Sequence, residues 1–379
     1  MRLIFYFIQI FLAIGLSSCQ EKLHSEPLAC GYNYNVLYAK GFCFSEQNQI
    51  QVLELRDPNN GYTVQRIALV PKNTKQEQLK GVDQIIYVPI QTIVATSTTH
   101  IPALEILGQA NSLVGFPNLD YISSQTTRQR IAQGLINELG QNESLNIELL
   151  IQSHPDLLMT FTIDQSQNGL EKVYDAGIPI IYNGDWTEQH PLGKAEWIKV
   201  FGALFNQNHK ADSIFKYVES EYLKLRDIAA SANKRPKVIS GALYKDVWYA
   251  PKGDSWGAKF IEDANGDYIW KSTRGTGSLQ WNIEQILSHA QTAQFWIGPG
   301  QFTSYNQMNQ SSPIYSKFPP FKRKEIYTFS KTKGPTGGLL YYELAAMRPD
   351  WVLADLIGIM HPELIEQKRP TNFFKPLDP

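Results

Sequence analysis

Cysteine is almost missing from this chain of 379 residues, which has only Cys19, Cys30 and Cys43, all close to its start. That scarcity excludes a disulfide-stapled scaffold, and no Cys-x-x-Cys or Cys/His spacing marks a structural zinc module. An excess of charge of either sign is lacking as well. Lys and Arg number 35 against 36 Asp and Glu, a formal net charge of −1, so no global basic field points to nucleic acid. Charged residues make up only 19% and hydrophobic ones 43%, the balance of a globular chain rather than a disordered one. No G-x-x-x-x-G-K-[ST] and no H-E-x-x-H occurs, which removes the phosphate loop and the zincin helix from consideration. Gly334-Pro335-Thr336-Gly337-Gly338 lacks the lysine a phosphate loop needs; it reads as a turn whose amides could also cradle an anion.

Long apolar runs are confined to one place. Leu3 to Leu16 follows Arg2, is interrupted only by Gln9 and Gly15, and is too short for a confident membrane span. It fits the h-region of a secretory signal over residues 1–18. The run closes on Leu16-Ser17-Ser18-Cys19, which resembles a bacterial lipobox and predicts acylation of Cys19 after cleavage. Cys30 and Cys43 then remain in an oxidising compartment, and the sequence leaves open whether they pair.

Aromatic residues, by contrast, are abundant at 12%, with 8 Trp and 19 Tyr. Downstream of the leader, Phe42 to Val70 reads as hairpin structure around Asp57-Pro58-Asn59-Asn60-Gly61. Strands are expected at Ile85–Ile90, Thr92–Thr96 and Leu113–Phe116, with a helix from His100 to Leu107. An internal repeat follows. Leu145-Asn146-Ile147-Glu148 is echoed by Trp281-Asn282-Ile283-Glu284, each opening a helix that precedes an apolar strand, Leu157–Phe161 or Phe295–Ile297. Asn as N-cap and Glu in the first turn explain the shared triplet. The same unit in each half predicts two similar α/β lobes. Between them, Ala211, Ile214, Phe215, Val218, Tyr222, Leu225 and Ala229 recur at helical spacing from about His209 to Ser231, with Asn208 as cap. Such a helix would run roughly 35 Å, enough to join the lobes rigidly. Further elements are expected at Lys237–Leu243, Ser255–Ala264, Glu325–Phe329 and Trp351–Met360.

The ordered set resembles the periplasmic binding proteins that serve iron-siderophore and vitamin B12 importers. The residues that carry the likeness are the lipobox at Cys19, Thr96-Ser97-Thr98-Thr99-His100 through Leu104, Leu113-Val114-Gly115-Phe116, Asn146-Ile147-Glu148 through His154-Pro155-Asp156-Leu157-Leu158, Ala176-Gly177-Ile178-Pro179, and the connector helix. The resemblance covers roughly Ile85 to Pro362 and implies two Rossmann-like α/β lobes, joined by one long rigid helix, with a ligand cleft between them. The chain then divides into a leader (1–18), an N-terminal segment with a β-hairpin (19–84), a first lobe (85–207), a connector (208–233) and a second lobe (234–379). The implied function is capture of a ferric siderophore, cobalamin or haem and its delivery, as a monomer, to an ABC permease, without catalysis and without a resident cofactor or metal. An extracytoplasmic hydrolase, or direct zinc or manganese binding, is the alternative on the same scaffold. The resemblance also implies docking through an exposed acidic residue on each lobe. The first lobe offers Asp164 and Glu171; Gly298 to Phe321 holds no acidic residue, which turns attention to Glu196 and Glu262.

Ligands of α/β sheets bind at the carboxyl ends of strands. Loops there point to His100, Phe116, Tyr121, Phe161 and Trp186 in the first lobe. In the second lobe they point to Trp248, Tyr249, Trp256, Arg274, Tyr305, Lys331 and Tyr341. Aromatic faces suit a flat macrocycle or catecholate, and Arg and Lys would neutralise an anionic chelate. For each aromatic alone, core packing is an equally good reading; for Trp248-Tyr249, flanked by Lys245, Asp246 and Pro251, exposure near a site is favoured. A bare metal site would need a second histidine beside His100, and the other six fall on tails, turns or helix ends.

Overall fold

The computed structural model describes residues 36–57, 61–74, 79–161, 169–365 and 371–379. The leader, Cys19, Cys30 and Asp164 lie outside the described residues, and with them the expectations of acylation, of Cys30–Cys43 pairing and of docking through Asp164.

The chain first builds a four-stranded sheet from β1 (Phe42–Gln47), β2 (Ile50–Arg56), β3 (Thr63–Pro71) and β4 (Gln84–Val88). Asn48 and Gln49 turn the first hairpin with positive φ at both positions, as a two-residue loop requires. Alternation directs Phe42, Phe44, Leu53, Leu55, Ile67 and Leu69 to the main core. β4 returns parallel to β3, so it completes this sheet, whereas the sequence reading opens the first lobe there.

The first lobe contains β5 (Ile93–Ala95), β6 (Leu113–Phe116), β7 (Asn137–Glu138), a ribbon of β8 (Gly140–Gln141) with β9 (Ser144–Leu145), β10 (Leu157–Thr160) and β11 (Ile180–Tyr182). Its sheet is parallel throughout, in the order β11-β10-β5-β6-β7. Helices α1 (His100–Ile106), α2 (Gln125–Ala132), α3 (Ile147–Gln152) and α4 (Leu170–Asp175) connect the strands. The edge at β11 is sealed by side chains of the N-terminal sheet. Gln84 donates to the Ile180 carbonyl at 2.6 Å and accepts from its amide at 3.1 Å, and Gln65 adds a bond at 3.0 Å. A side-chain amide thus copies strand pairing at an otherwise open edge.

Helices α5 (Pro191–Glu196) and α6 (Ile198–Leu204) lead into the connector α7 (Asn208–Ala230), which buries Ala211, Phe215, Val218, Tyr222, Leu225 and Ala229. Asn208 is its first helical residue rather than its cap. α5 corrects one expectation. Glu196 is fully buried, accepting from the amides of Leu37, Tyr38 and Ala39 at 2.7–2.9 Å and from Lys199 Nζ at 2.7 Å. Glu188 beside it takes the amides of Lys40 and Gly41 and the indole N–H of Trp197. The incoming chain needs acceptors for its unpaired amides, and these carboxylates supply them. Glu196 has nothing left to offer a permease.

The second lobe runs through β12 (Lys237–Ser240), β13 (Ala242–Tyr244), β14 (Val247–Pro251), α8 (Trp256–Asp263), β15 (Asp267–Tyr268), β16 (Ser278–Trp281), α9 (Ile283–Ala290) and β17 (Phe295–Ile297). It continues with α10 (Tyr305–Ser311), α11 (Pro319–Arg323), β18 (Ile326–Thr328), α12 (Leu340–Leu344), α13 (Pro349–Met360) and β19 (Lys375–Pro376). Its sheet has the order β15-β12-β17-β18-β19, parallel except for β19. The repeat is real in structure: Asn146 accepts from the Leu149 amide and Asn282 from the Gln285 amide, each capping the helix before a lobe strand. The expected strand Lys237–Leu243 is broken at Gly241. Its φ is +90°, and a Cβ there would lie 1.9 Å from the Tyr249 carbonyl, so only glycine lets the chain leave β12 and enter the antiparallel sheet β13-β14-β16.

Candidate ligand-binding site

A cavity of 1260 Å³ opens at the carboxyl ends of β12, β17 and β18, reached at Ser240, Gly298 and Phe329. This is where a parallel sheet leaves strand ends uncovered, and the volume exceeds that of common small-molecule sites, about 300–1,000 Å³. The hairpin β13–β14 and the first turn of α8 form one side, and α12 and α13 form another. Among the described lining residues, Trp186 is the contribution of the first lobe.

The walls are aromatic and built in layers. Phe329 stacks on Tyr341 with ring centres 4.4 Å apart and planes 14° from parallel, and Phe374 meets both edge-on. Trp256 lies 6.3 Å from Tyr341. Over the Trp256 ring, the ammonium of Lys194 from α5 sits 4.2 Å from the ring centre, a cation–π contact that ties the cavity wall to the first lobe. Burial lowers the pKa of Lys194, and Asp185 and Glu188 oppose that shift. Burial also drives the Tyr341 phenol upward, so it stays a neutral hydrogen-bonding group. Ser240, Ser255, Ser278, Thr276, Gln301 and Gln307, with the phenols of Tyr244, Tyr249 and Tyr342, supply the other polar side chains.

Of the residues singled out in the sequence, the structure brings Trp186, Tyr249, Trp256 and Tyr341 to this cavity. Trp248 is one residue from Tyr249, yet strand alternation turns it the other way. It is fully buried against Trp296 and Phe318, with its indole N–H on the Ser240 carbonyl at 3.0 Å. Arg274 is 91% exposed and pairs with Asp254 at 3.4 Å. Lys331 reaches Asp378 at 2.6 Å, and Tyr305 packs edge-on against Phe321. In the first lobe His100 and Phe116 are core residues. Burial pushes the His100 imidazole down to about 4, and neither ring nitrogen has a hydrogen-bond partner among the described residues. Phe161 holds Trp186 in place through its carbonyl, 2.8 Å from the indole nitrogen, while Tyr121 is exposed at the lobe boundary. The sequence reading misses Phe329, Tyr342 and Phe374. Phe329 directly follows β18, so the strand-end rule could have found it. Phe374 comes from the C-terminal tail, where no local pattern marks it.

The sequence reading counts G-x-S-x-G among the absent enzyme motifs, and this is corrected: one is present. Gly253-Asp254-Ser255-Trp256-Gly257 has the outline of a nucleophile elbow, G-x-S-x-G between a strand and a helix, and Ser255 lines the cavity. The hydroxyl is otherwise engaged. It donates to the Lys252 carbonyl at 2.6 Å and accepts from the Ala258 amide at 3.2 Å as the cap of α8. No histidine is among the described lining residues to activate it. Among the described residues there is also no group of three or more His, Cys, Asp or Glu that could hold a metal ion.

The lobes are clasped beside the cavity by the Gly334–Gly338 turn. Ser123 Oγ donates to the Gly338 carbonyl at 3.1 Å, and Thr336 Oγ1 to the Asp120 carbonyl at 2.7 Å. A Cβ on Gly338 would lie 2.2 Å from the Tyr121 carbonyl, so the glycine serves close interlobe approach. Glu343 of α12 accepts from the Ser123 amide at 2.6 Å. Burial, with Glu105 nearby, raises its carboxyl to about 7 against the pull of the Ser123 and Ser124 amides.

Among the described residues no helix is long and apolar enough to cross a membrane. An uncharacterized lipoprotein of Methanocaldococcus jannaschii is 27% identical over 308 residues, 79% of this chain and 72% of its own length. A periplasmic heme binding protein from Pseudomonas aeruginosa superposes with a TM-score of 0.60 at 14% identity, covering 76% of this chain and 99% of that one. The periplasmic vitamin B12 binding protein of Vibrio cholerae superposes with a TM-score of 0.52 at 13% identity, covering 74% and 99%. Both likenesses are of fold, and both structures are of binding proteins. Residues 93–333 match the periplasmic binding protein family, and over that span, more than half of its length, the chain belongs to that family of solute-binding proteins.

Proposed function

We propose that this protein captures a metal-chelate nutrient, of the ferric siderophore, cobalamin or haem class, in the aromatic cavity and hands it to an ABC importer. The observation that carries the reading is a 1260 Å³ cavity at parallel strand ends, walled by Trp186, Trp256, Phe329 and Tyr341 and without an activated nucleophile. A flat or macrocyclic chelate fills such a volume and stacks on such walls. The fold shared with heme and vitamin B12 binding proteins supports the same reading. Tethering through acylated Cys19 is part of the proposal, supported by the lipobox and by the lipoprotein relative. Glu171, exposed in the first turn of α4, and Glu262, exposed on α8 beside Lys259, are the acidic groups of the described surface proposed to meet the permease.

Two experiments test this reading. Thermal-shift screening against iron chelates, corrinoids and haem should find a ligand that, at 100 times its Kd, adds about 2.7 kcal/mol of stability. Fatty-acid labelling should mark the wild type and not Cys19→Ala; equal labelling of both removes the tether from the proposal.

A further inference from the structure

Function as a chelate carrier leaves the charge of the cargo open, and the cavity wall bears on that charge. We infer that the cavity selects a chelate without net charge and discriminates against anionic ones, an inference that rests on the cavity being the ligand site. None of the described lining residues carries a carboxylate, ammonium, guanidinium or imidazole. The polar groups that face the space are hydroxyls, phenols and the primary amides of Gln301 and Gln307, which hydrogen-bond neutral donors and acceptors and neutralise nothing.

Of the cations close to the wall, Lys194 and Arg274 are engaged by other groups, while Lys245 and Lys252 stand beside the cavity without belonging to its described lining. Lys194 is not among the described lining residues; its ammonium lies over the Trp256 ring at 4.2 Å and feels the negative charges of Asp185 and Glu188. Arg274 is out in solvent on Asp254. Lys245 is exposed, with its ammonium 5.4 Å from the ring centre of the lining residue Tyr244. The N-terminal end of α8 does face the cavity, and its partial positive charge is worth about two- to fivefold in affinity for an anion. Ser255 already takes one of its free amides, which reduces that figure. An anionic chelate moved from water into this space would lose hydration and gain no countercharge from the described lining residues, and that loss outweighs the helix end. A neutral chelate loses little and keeps the aromatic contacts.

The test is a set of tryptophan-quenching titrations on the intact mature protein with four probes: an uncharged ferric trihydroxamate, cyanocobalamin, an anionic ferric tricatecholate, and haemin with ionised propionates. The inference predicts tightest binding for one of the two uncharged probes, with both anionic probes weaker by about a hundredfold or more. It also predicts that the affinity of the bound probe is unchanged between low and high salt, because no ion pair is formed. An anionic probe that binds as tightly as the best uncharged one, or whose affinity falls steeply with salt, overturns the inference and leaves the carrier function standing. Failure of all four probes to bind counts against the carrier function itself.

Discussion

Trp248 and Tyr249 differ by one step along β14, and that step sends one ring into the core and the other to the cavity. The consequences of mutation should split in the same way. Trp248→Ala is expected to cost about 3–5 kcal/mol in urea unfolding, since it leaves a hole beside Trp296 and Phe318. Tyr249→Ala and Trp256→Ala are expected to weaken ligand binding about tenfold or more while folding persists, because each removes a stacking surface. Arg274→Ala should leave both affinity and stability unchanged, within about 0.5 kcal/mol, as befits a solvated arginine. A large loss of affinity in that variant would show that its loop closes over the ligand. At this scale the sequence was informative about residue type and silent about direction. Trp248 and Tyr249 share the same flanking residues; only strand register decides which of them faces open space.

At the scale of elements, the helices and strands follow from spacing. The apolar stripe of α7, the two Asn caps and the strands β6 and β17 stand where periodicity puts them. What spacing does not reveal is the role of loops that meet distant chain. The Gly334–Gly338 turn carries no sign in its own residues that Ser123 and Asp120 await it in the other lobe. Nor does Glu196 announce that three amides more than 150 positions earlier will use its carboxylate. The clasp has a pH signature. Glu343 has its folded pKa raised from 4.5 to about 7, so its protonated form is the stabilising one. That contribution is complete below about pH 4.5 and disappears as pH rises through about 7. Glu343→Gln keeps an acceptor for the Ser123 amide and cannot ionise. It should therefore flatten the stability profile across that window and gain on the order of 2 kcal/mol over wild type at pH 8. A variant whose profile between pH 4.5 and 8 parallels wild type would place the pH dependence elsewhere.

Over the whole molecule, the α/β bilobal architecture was legible because one helix-then-strand unit occurs in each half and one uninterrupted helix lies between them. The cavity was legible only in outline. Its walls come from β13, α8, α12 and a tail residue, Phe374, which are far apart in sequence and meet only once both sheets have formed. The connector α7 holds no glycine or proline and packs along α6 and α13, so ligand binding should change the radius of gyration in small-angle scattering by no more than a few per cent. A marked compaction would mean that the lobes move as a hinge.

The central claim is that this cavity holds an intact chelate, and the most direct measurement is to purify the protein from its native envelope and analyse what leaves it on unfolding. The account predicts one equivalent of an unaltered, metal-bearing chromophore per chain, absent from a Trp256→Ala, Tyr341→Ala double variant. A protein that carries no such compound after growth on every iron, haem and corrinoid source, or that releases a cleaved product, would contradict it.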